Sequence, residues 1–470
     1  MKAYEEFYIG TRILIIKFDF MKIAVMGTGY VGLVTSVSLA NSGHRVICVG
    51  RNKEKILSIN SGKSPFFEPG LDSLLGKLVK KGLITATDNL EKSVASSNFT
   101  IIAVGTPTIK GKIDLSEITT VSKQIGKALR NIKEYHVVVV RSTVVPGTTE
   151  LTVKPLLEKY SKKAIGKDFG LCMNPEFLRE GNAVTDALNP DRIVIGQYDN
   201  KSGVCFSKIF DKSSCPKVLT TLKTAEITKY AANSLLATMI SYSNEISRIV
   251  ENVGDVDIVD VWKGVHLDGR LSPVVGGKRI RPGFLNYILS GCGYGGSCFP
   301  KDTKALLNFS KRNGYTPSLI QSVISINETQ PERLIALLSK ELGSLKNKKI
   351  AVWGLTFKPD TDDIRESPAL SVIKLLDRED AKIACHDPLI KKIKGKLTNL
   401  PIEINESALN AIKNADGLIV VTAWDEYGKY LPEIFIKNMK RPIIVDGRRI
   451  FNKEKFKKAG IIYKGIGLGN

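Results

Sequence analysis

From Met21 onward the chain alternates short apolar runs with longer stretches of mixed polarity. Residues 22–26 (KIAVM) form an apolar run of strand length. Residues 31–40 read as a helix capped by Gly43, and 45–49 as the next strand. Further strand-like runs lie at 100–104, 136–140, 170–173 and 192–196, with helical segments such as 114–130 between them. This βα alternation predicts a doubly wound parallel sheet. Near Thr220 it gives way to one long helical stretch, AEITKYAANSLLATMISYSNEISRIVENVG. A second βα series then runs through 348–354, 381–387, 416–424 and 441–449. The expected fold class is α/β: two Rossmann-like, doubly wound domains joined by a central helical region. The expected boundaries are 21–218, 219–330 and 331–470. Residues 1–20 read differently, as an N-terminal extension that is a loose arm or a gene-start artefact, with Met21 the authentic start.

Composition adds bounds to this picture. A chain of 470 residues, 43% hydrophobic and 25% charged, is globular and long enough for several domains. No apolar stretch reaches the ~20 residues of a transmembrane helix. The run at 13–20 contains Lys17 and Asp19, so it makes a poor signal-peptide core. Seven scattered cysteines without a CxxC pair predict neither a disulfide framework nor a metal site, and point to a reducing, cytoplasmic setting. The net charge of +22 suggests an anionic partner. The basic residues are dispersed and no nucleic-acid motif accompanies them, so a phosphorylated small molecule is expected rather than nucleic acid or membrane.

Several segments carry candidate chemistry. GTGYVG (27–32) sets Gly27, Gly29 and Gly32 in GxGxxG spacing between a strand and a helix. Such glycines allow a tight turn and close approach to a pyrophosphate at the helix N-terminus. The acidic residue expected at the end of the second strand is missing: Gly50 and Arg51 stand there, followed by Lys53 and Lys55. Thr106 and Thr143 sit at two further strand ends, where a doubly wound sheet presents ligands. NPEFLREG (174–181) sets Glu176 and Glu180 just after a strand. Lys229 and Asn233 share a helix face. If that face lines a cleft, they could hold a substrate hydroxyl and its developing oxyanion; otherwise the pair is a solvated stripe. GCGYGGSCFPKD (291–302) is the most informative segment. Its glycines allow close ligand approach, and it presents the Cys298 thiol with Lys301 and Asp302 nearby, a cationic setting that favours thiolate.

GTGYVG, GTPT, RSTVVPGTT, NPEFLREG with NPDRIVIG, KYAAN, GYGGSCFPKD, GLTFKPDTDDIRES and DGRR occur in this order. Together they resemble the UDP-glucose/GDP-mannose dehydrogenase family over residues 21 to about 460. The resemblance implies a four-electron oxidation of a sugar C6 alcohol to a carboxylate, with two nicotinamide cofactors (NAD) reduced in turn. Lys229 and Asn233, with Thr143 and a water, would assist deprotonation and stabilise oxyanions. Cys298 would form a thiohemiacetal and then a thioester, hydrolysed by a water that Glu176 activates, with Asp302 supporting the site. Covalent capture would hold the reactive aldehyde between the two oxidations.

Cofactor contacts implied by the resemblance are Gly27, Thr28, Gly29, Tyr30, Val31 and Gly32, then Lys55, Thr106 and Thr143, and finally Glu180, Lys301 and Arg365. For the UDP-sugar it implies Glu176, Phe177, Leu178, Arg179 and Glu180, with Lys229 and Asn233. The loop at Tyr294 and Gly295 would join them, together with Phe357, Lys358 and Arg448. The second α/β domain, which lacks GxGxxG after its first strand, would hold the UDP. The central helices would form the core of a homodimer or higher homo-oligomer.

NPEFLREG with NPDRIVIG favours UDP-glucose as substrate; another nucleotide sugar (GDP-mannose or a UDP-N-acetylhexosamine) is the alternative, ahead of a binding-only pseudoenzyme. Two departures from the family pattern stand out. The segment GVHLDGRLSPVVGGKRIRPGFLNY is long, so Arg270 and Arg279 both qualify as the arginine that reaches a neighbouring subunit's substrate, with Arg279 favoured. Cys292 stands where a small residue or proline is usual. Gly50-Arg51 also makes NADP use an expectation alongside NAD, because the carboxylate that repels a 2′-phosphate is gone.

Overall fold

The computed structural model describes residues 20–109 and 111–469; apart from Phe20, the N-terminal extension lies outside the described residues. The first sheet holds β1 (Lys22–Met26), β2 (Arg45–Val49), β3 (Ile84–Thr87), β4 (Phe99–Ile102), β5 (His136–Val140), β6 (Phe169–Met173), β7 (Ile193–Gln197) and β8 (Lys217–Thr221). Their order is β8-β7-β6-β5-β4-β1-β2-β3. Both faces of the central strands are covered. Ile23 and Val25 of β1 join one buried apolar cluster, and Ala24 and Met26 join the other. Unbroken apolar runs such as HVVVV reflect this two-sided burial. α1 (Tyr30–Asn41) and α2 (Lys53–Asn60) follow β1 and β2.

The sheet departs from the expected parallel pattern at one edge. β7 pairs antiparallel with β6 through Cys172–Gln197 and Met173–Gly196, and β8 runs parallel to β7. The chain leaves β6 at its carboxyl end, forms the NPEFLREG loop and a short helix there, and re-enters the sheet from that same end. β8 therefore finishes at the opposite end. From it α3 (Leu222–Val253) runs back along β7 at ~1.5 Å per residue, which brings Lys229 and Asn233 level with Glu176. Glu226 on α3 accepts the backbone N–H groups of Gly147 (2.5 Å) and Thr149 (2.7 Å), fixing the RSTVVPGTT turn against the helix.

α4 (Ile258–His266), α5 (Phe299–Arg312), α6 (Ser318–Glu328) and α7 (Gln330–Leu342) complete the middle of the chain. α5 and α6 pack on α3, where Ala237, Tyr294 and Val323 form a small apolar cluster. The second sheet is parallel throughout: β9 (Lys349–Trp353), β10 (Lys382–His386), β11 (Glu403–Ile404), β12 (Gly417–Val420), β13 (Ile443–Asp446) and β14 (Ile462–Gly465), in the order β11-β10-β9-β12-β13-β14. Among the described residues no helix is long and apolar enough to cross a membrane.

Candidate active site

Strand order reverses between β1 and β4, so a crevice opens at their carboxyl ends, the usual ligand position of an open α/β sheet. The GTGYVG turn lines it. A Cβ on Gly32 would lie 2.1 Å from the Gly27 carbonyl oxygen, so only glycine allows this turn to close. A Cβ on Gly29 would meet nothing within 4 Å, and no side chain caps the N-terminus of α1. Open space beside uncapped backbone N–H groups fits a pyrophosphate. Thr106 and Thr143, from the ends of β4 and β5, meet where the Thr106 hydroxyl donates to the Thr143 carbonyl (2.7 Å).

The second sheet repeats this strand order. Asp387, after β10, accepts from the N–H groups of Leu355 (2.7 Å) and Thr356 (3.1 Å) beyond β9. A carboxylate already holds the amides a phosphate would need.

Between the domains lies a cleft of about 410 Å³. Glu176, Phe177, Leu178, Arg179 and Glu180 reach it from the β6 loop, Lys229 and Asn233 from α3, Gly295 and Cys298 from the glycine-rich loop, and Phe357 and Lys358 from beyond β9. Cys298 sits at the N-cap of α5. Lys229 Nζ pairs with Glu176 Oε1 at 2.9 Å, both side chains buried. Burial by itself would raise Glu176, but Lys229, the Leu178 amide and Arg141 together hold it below the ordinary carboxylate range. Burial likewise opposes the Lys229 charge, and Glu176, Cys298 and Asp302 outweigh it. Both groups are therefore charged. Asn233 Nδ2 donates to Asp302 Oδ2 (2.6 Å), and Lys301 pairs with the other Asp302 oxygen. Such a cleft can stabilise an oxyanion, hold a nucleophile and activate a water.

The cation beside the thiol is a correction to the sequence reading. Lys301 is taken by Asp302, and the ammonium that favours the Cys298 thiolate is Lys229, from a different element. Burial pushes the thiol up to about 11, opposed by Lys229 and reinforced by Glu176 and Asp302. Of the other expected residues, Arg179 lines the cleft, whereas Tyr294, Arg448, Arg365, Arg270 and Arg279 stand around it. The Tyr294 ring packs edge-on against Phe299 (6.0 Å between centroids), while its amide N–H donates to Asn327 Oδ1 (2.7 Å). Arg448 donates to the Val421 (2.7 Å) and Gly293 (3.3 Å) carbonyls, tying β13 to the glycine-rich loop. Arg179 is held by Asp186, and Arg365 by Asp363 and Glu180. Arg270 pairs with Asp268, whereas Arg279 donates to the Leu267 and Ser272 carbonyls; both lie in an exposed segment. Arg51 pairs with Glu117, and Lys55 lies in the first turn of α2.

Sequence reading passed over three supporting residues. Arg141, one residue before Ser142-Thr143, donates to Thr35 and Asn174 beside Glu176. Ser297 donates to Glu180 (3.0 Å). Glu68 accepts from the Tyr30 hydroxyl and from the Gly181 (2.8 Å) and Ala183 (2.7 Å) amides, joining the GTGYVG turn to the NPEFLREG loop. Arg141 and Ser297 lay inside motifs already singled out; Glu68 carried no signal. Cys292 is a buried thiol that donates to the Gly447 carbonyl.

Family comparison agrees with this geometry over nearly the whole chain. The NAD-binding, central and UDP-binding domain models of the UDP-glucose/GDP-mannose dehydrogenase family match residues 21–214, 223–329 and 351–453. The chain belongs to this family. It is an oxidoreductase with a family NAD-binding domain at its N-terminal end and a UDP-binding domain at its C-terminal end. It is 38% identical to the UDP-glucose 6-dehydrogenase TuaD of Bacillus subtilis over 95% of this chain and 93% of that protein. It is 34% identical to the UDP-glucose 6-dehydrogenase of Pseudomonas aeruginosa, over 95% and 97%. A UDP-glucose dehydrogenase structure from Pyrobaculum islandicum superposes with a TM-score of 0.87 at 34% identity, covering 97% of this chain and 100% of that one.

Proposed function

We propose that this enzyme oxidises the C6 alcohol of UDP-glucose to the carboxylate, giving UDP-glucuronate. One observation carries the reading: the Cys298 thiol shares a cleft with the charged Glu176–Lys229 pair. A simple alcohol dehydrogenation needs no thiol, whereas oxidation to a carboxylate gains from capturing the aldehyde. Similarity to proteins named UDP-glucose 6-dehydrogenase supports UDP-glucose as the sugar.

A nicotinamide cofactor, with its pyrophosphate held by the GTGYVG turn, would supply the hydride acceptor. Lys229 and Asn233 hold the C6 oxygen, stabilising negative charge as it develops, with Thr143 assisting at the cofactor side. Cys298 Sγ adds to the aldehyde carbon. Glu176, charged in the free enzyme, orients and deprotonates the hydrolytic water. Asp302 keeps the Asn233 amide turned towards the substrate. Lys358 faces the cleft without an ion pair among the described residues, so its charge is free for the diphosphate beside Phe357. Arg448 braces that end of the site. Leu235, Tyr242 and Ile249 recur every seventh residue on the exposed side of α3, which supports a second copy of the chain as its cover and hence a homodimer. Arg279, whose charge lacks a carboxylate partner among the described residues, is then the arginine offered to the neighbouring cleft. Gly50 and Arg51 support NADP use alongside NAD.

The test is incubation with UDP-glucose, GDP-mannose and UDP-N-acetylhexosamines while following reduced nicotinamide. Two cofactors reduced per UDP-glucose, with glucuronate formed, is the expected result. One per sugar with aldehyde accumulating, or preference for another sugar, would overturn the reading.

A further inference from the structure

We propose that Ser297 relays the Cys298 thiol proton to Glu180, which serves as proton acceptor when sulfur attacks the aldehyde; this role rests on the thiohemiacetal reading above. The Ser297 hydroxyl donates its only hydrogen to Glu180 Oε1 at 3.0 Å. Towards Cys298 Sγ, 3.5 Å away, its oxygen is therefore the acceptor. With Glu180 as carboxylate the path runs from S–H to Ser297 Oγ and from Oγ–H to Glu180, and it reverses once Glu180 carries the proton.

The other groups around the thiol are committed. Lys229 is protonated and paired with Glu176 at 2.9 Å. Glu176 is engaged at both oxygens, by Lys229 at 2.9 Å and by the Leu178 amide at 2.6 Å. Asp302 is divided between Asn233 and Lys301. A thiol pushed up to about 11 nevertheless needs an acceptor to react at neutral pH.

Glu180 is suited to that task. Its Oε2 atom is buried without a partner. Burial and the charge of Asp363 push it up to about 7, against the opposing pull of Arg365 and Ser297. It is thus partly ionised at neutrality and basic enough to take a proton. The Lys358 ammonium and the Tyr30 hydroxyl also face it, and Arg365 faces both Glu180 and Cys298.

The step balances within the site. The thiol proton passes to Ser297 as the serine proton passes to Glu180. A sulfur lone pair forms the C–S bond, and the carbonyl π pair moves to oxygen beside Lys229 and Asn233. When hydrolysis later breaks the C–S bond, sulfur recovers the proton along the same path and Glu180 returns to carboxylate.

The test follows Cys298 alkylation by iodoacetamide in the full-length protein without substrate, read on the Cys298 peptide by mass spectrometry across the pH range. The parent should show a rise with a midpoint near 7, set by Glu180, well below the thiol's own titration near 11. Ser297→Ala and Glu180→Gln should lose that rise and alkylate about 10²-fold more slowly at neutral pH, the low end of what a positioned base contributes. Ser297→Thr, which keeps the hydroxyl, should restore it. A neutral-pH rise that survives in both deletion variants, or a Thr variant as slow as the Ala variant, overturns the relay. A parent that shows the rise but reduces no nicotinamide with any nucleotide sugar keeps the relay and sinks the functional reading instead.

Discussion

At the scale of single residues, spacing along the chain and proximity in space disagree at the thiol. Cys298 and Lys301 are neighbours in sequence, yet Asp302 takes Lys301, and the cation that matters comes from α3. Residue types named the nucleophile but not its electrostatic partner. Cys298→Ser should leave cofactor and UDP-sugar binding intact and stop turnover at the aldehyde, with a kcat loss of about 10³-fold or more, because a hydroxyl is a far poorer nucleophile. Equal stoichiometry of reduced cofactor in parent and variant would refute that. Position 50 offers a second case. A Cβ on Gly50 would lie 2.6 Å from the Thr28 side chain, so Thr28 fills the place an acidic side chain would need. Arg51 pairs with Glu117 across an exposed surface, and such pairs are weak enough for a 2′-phosphate to compete. Glu117→Gln should therefore raise kcat/KM for NADP by about threefold while leaving NAD unchanged. An unaltered cofactor ratio would show that Arg51 does not meet the ribose.

At the scale of elements, what was legible follows burial. β1, β2 and β5 are apolar runs buried in the middle of a sheet, and their sequence limits match the structure to the residue. β8 (KVLTT) lies at the edge with most of its side chains exposed, so it carries no run to recognise, and the two-residue β11 is too short to show a period. The antiparallel turn into β7 was invisible for another reason: direction depends on which end of the sheet the β6 loop occupies, and strand composition does not encode that. The same holds for Glu68 and Ser297, whose partners lie 113 and 117 positions away. α3 shows both sides of the lesson. Its long helical pattern was plain, and so was the pairing of Lys229 with Asn233, but its outer face reads as ordinary surface until exposure is known. Leu235, Tyr242 and Ile249, each more than half exposed, then stand out as a stripe needing a cover. Replacing Leu235 and Tyr242 together by Arg should convert a dimer to monomer in sedimentation velocity, since two charges would enter an apolar contact. A parent already monomeric at micromolar concentration would remove the basis for that cover.

At the scale of the whole molecule, three bodies must hold a cleft to which each contributes side chains, so the ties between them matter as much as any core. Glu180 of the first body meets Arg365 of the last, Arg448 meets the Gly293 carbonyl, and the Lys392 ammonium lies 3.5 Å over the Phe67 ring. A largely buried tie is Asp257, the N-cap of α4, which binds Arg449 at 2.8 Å and Lys453 at 3.0 Å from the second α/β domain. Burial on its own would raise Asp257, but Arg449, the Val259 amide and Lys453 hold it down to about 2, against an ordinary value of 3.8. A depressed folded-state value means the unfolded chain takes up the proton first as acid is added. The tie thus contributes its full stability above about pH 4 and loses it as the pH falls towards 2. Asp257→Asn keeps the helix cap, since asparagine accepts the same amide hydrogen bond, and removes only the charge. At neutral pH the variant should melt lower than the parent by about 5 °C in its first transition, because Arg449 is left enclosed without its carboxylate. The gap should be constant from neutrality down to mildly acidic pH and close as the pH approaches 2, which scanning calorimetry on the two proteins in parallel would measure. A gap that stays constant through that acidic window would show that the Asp257 charge is not what ties the second sheet to the central helices.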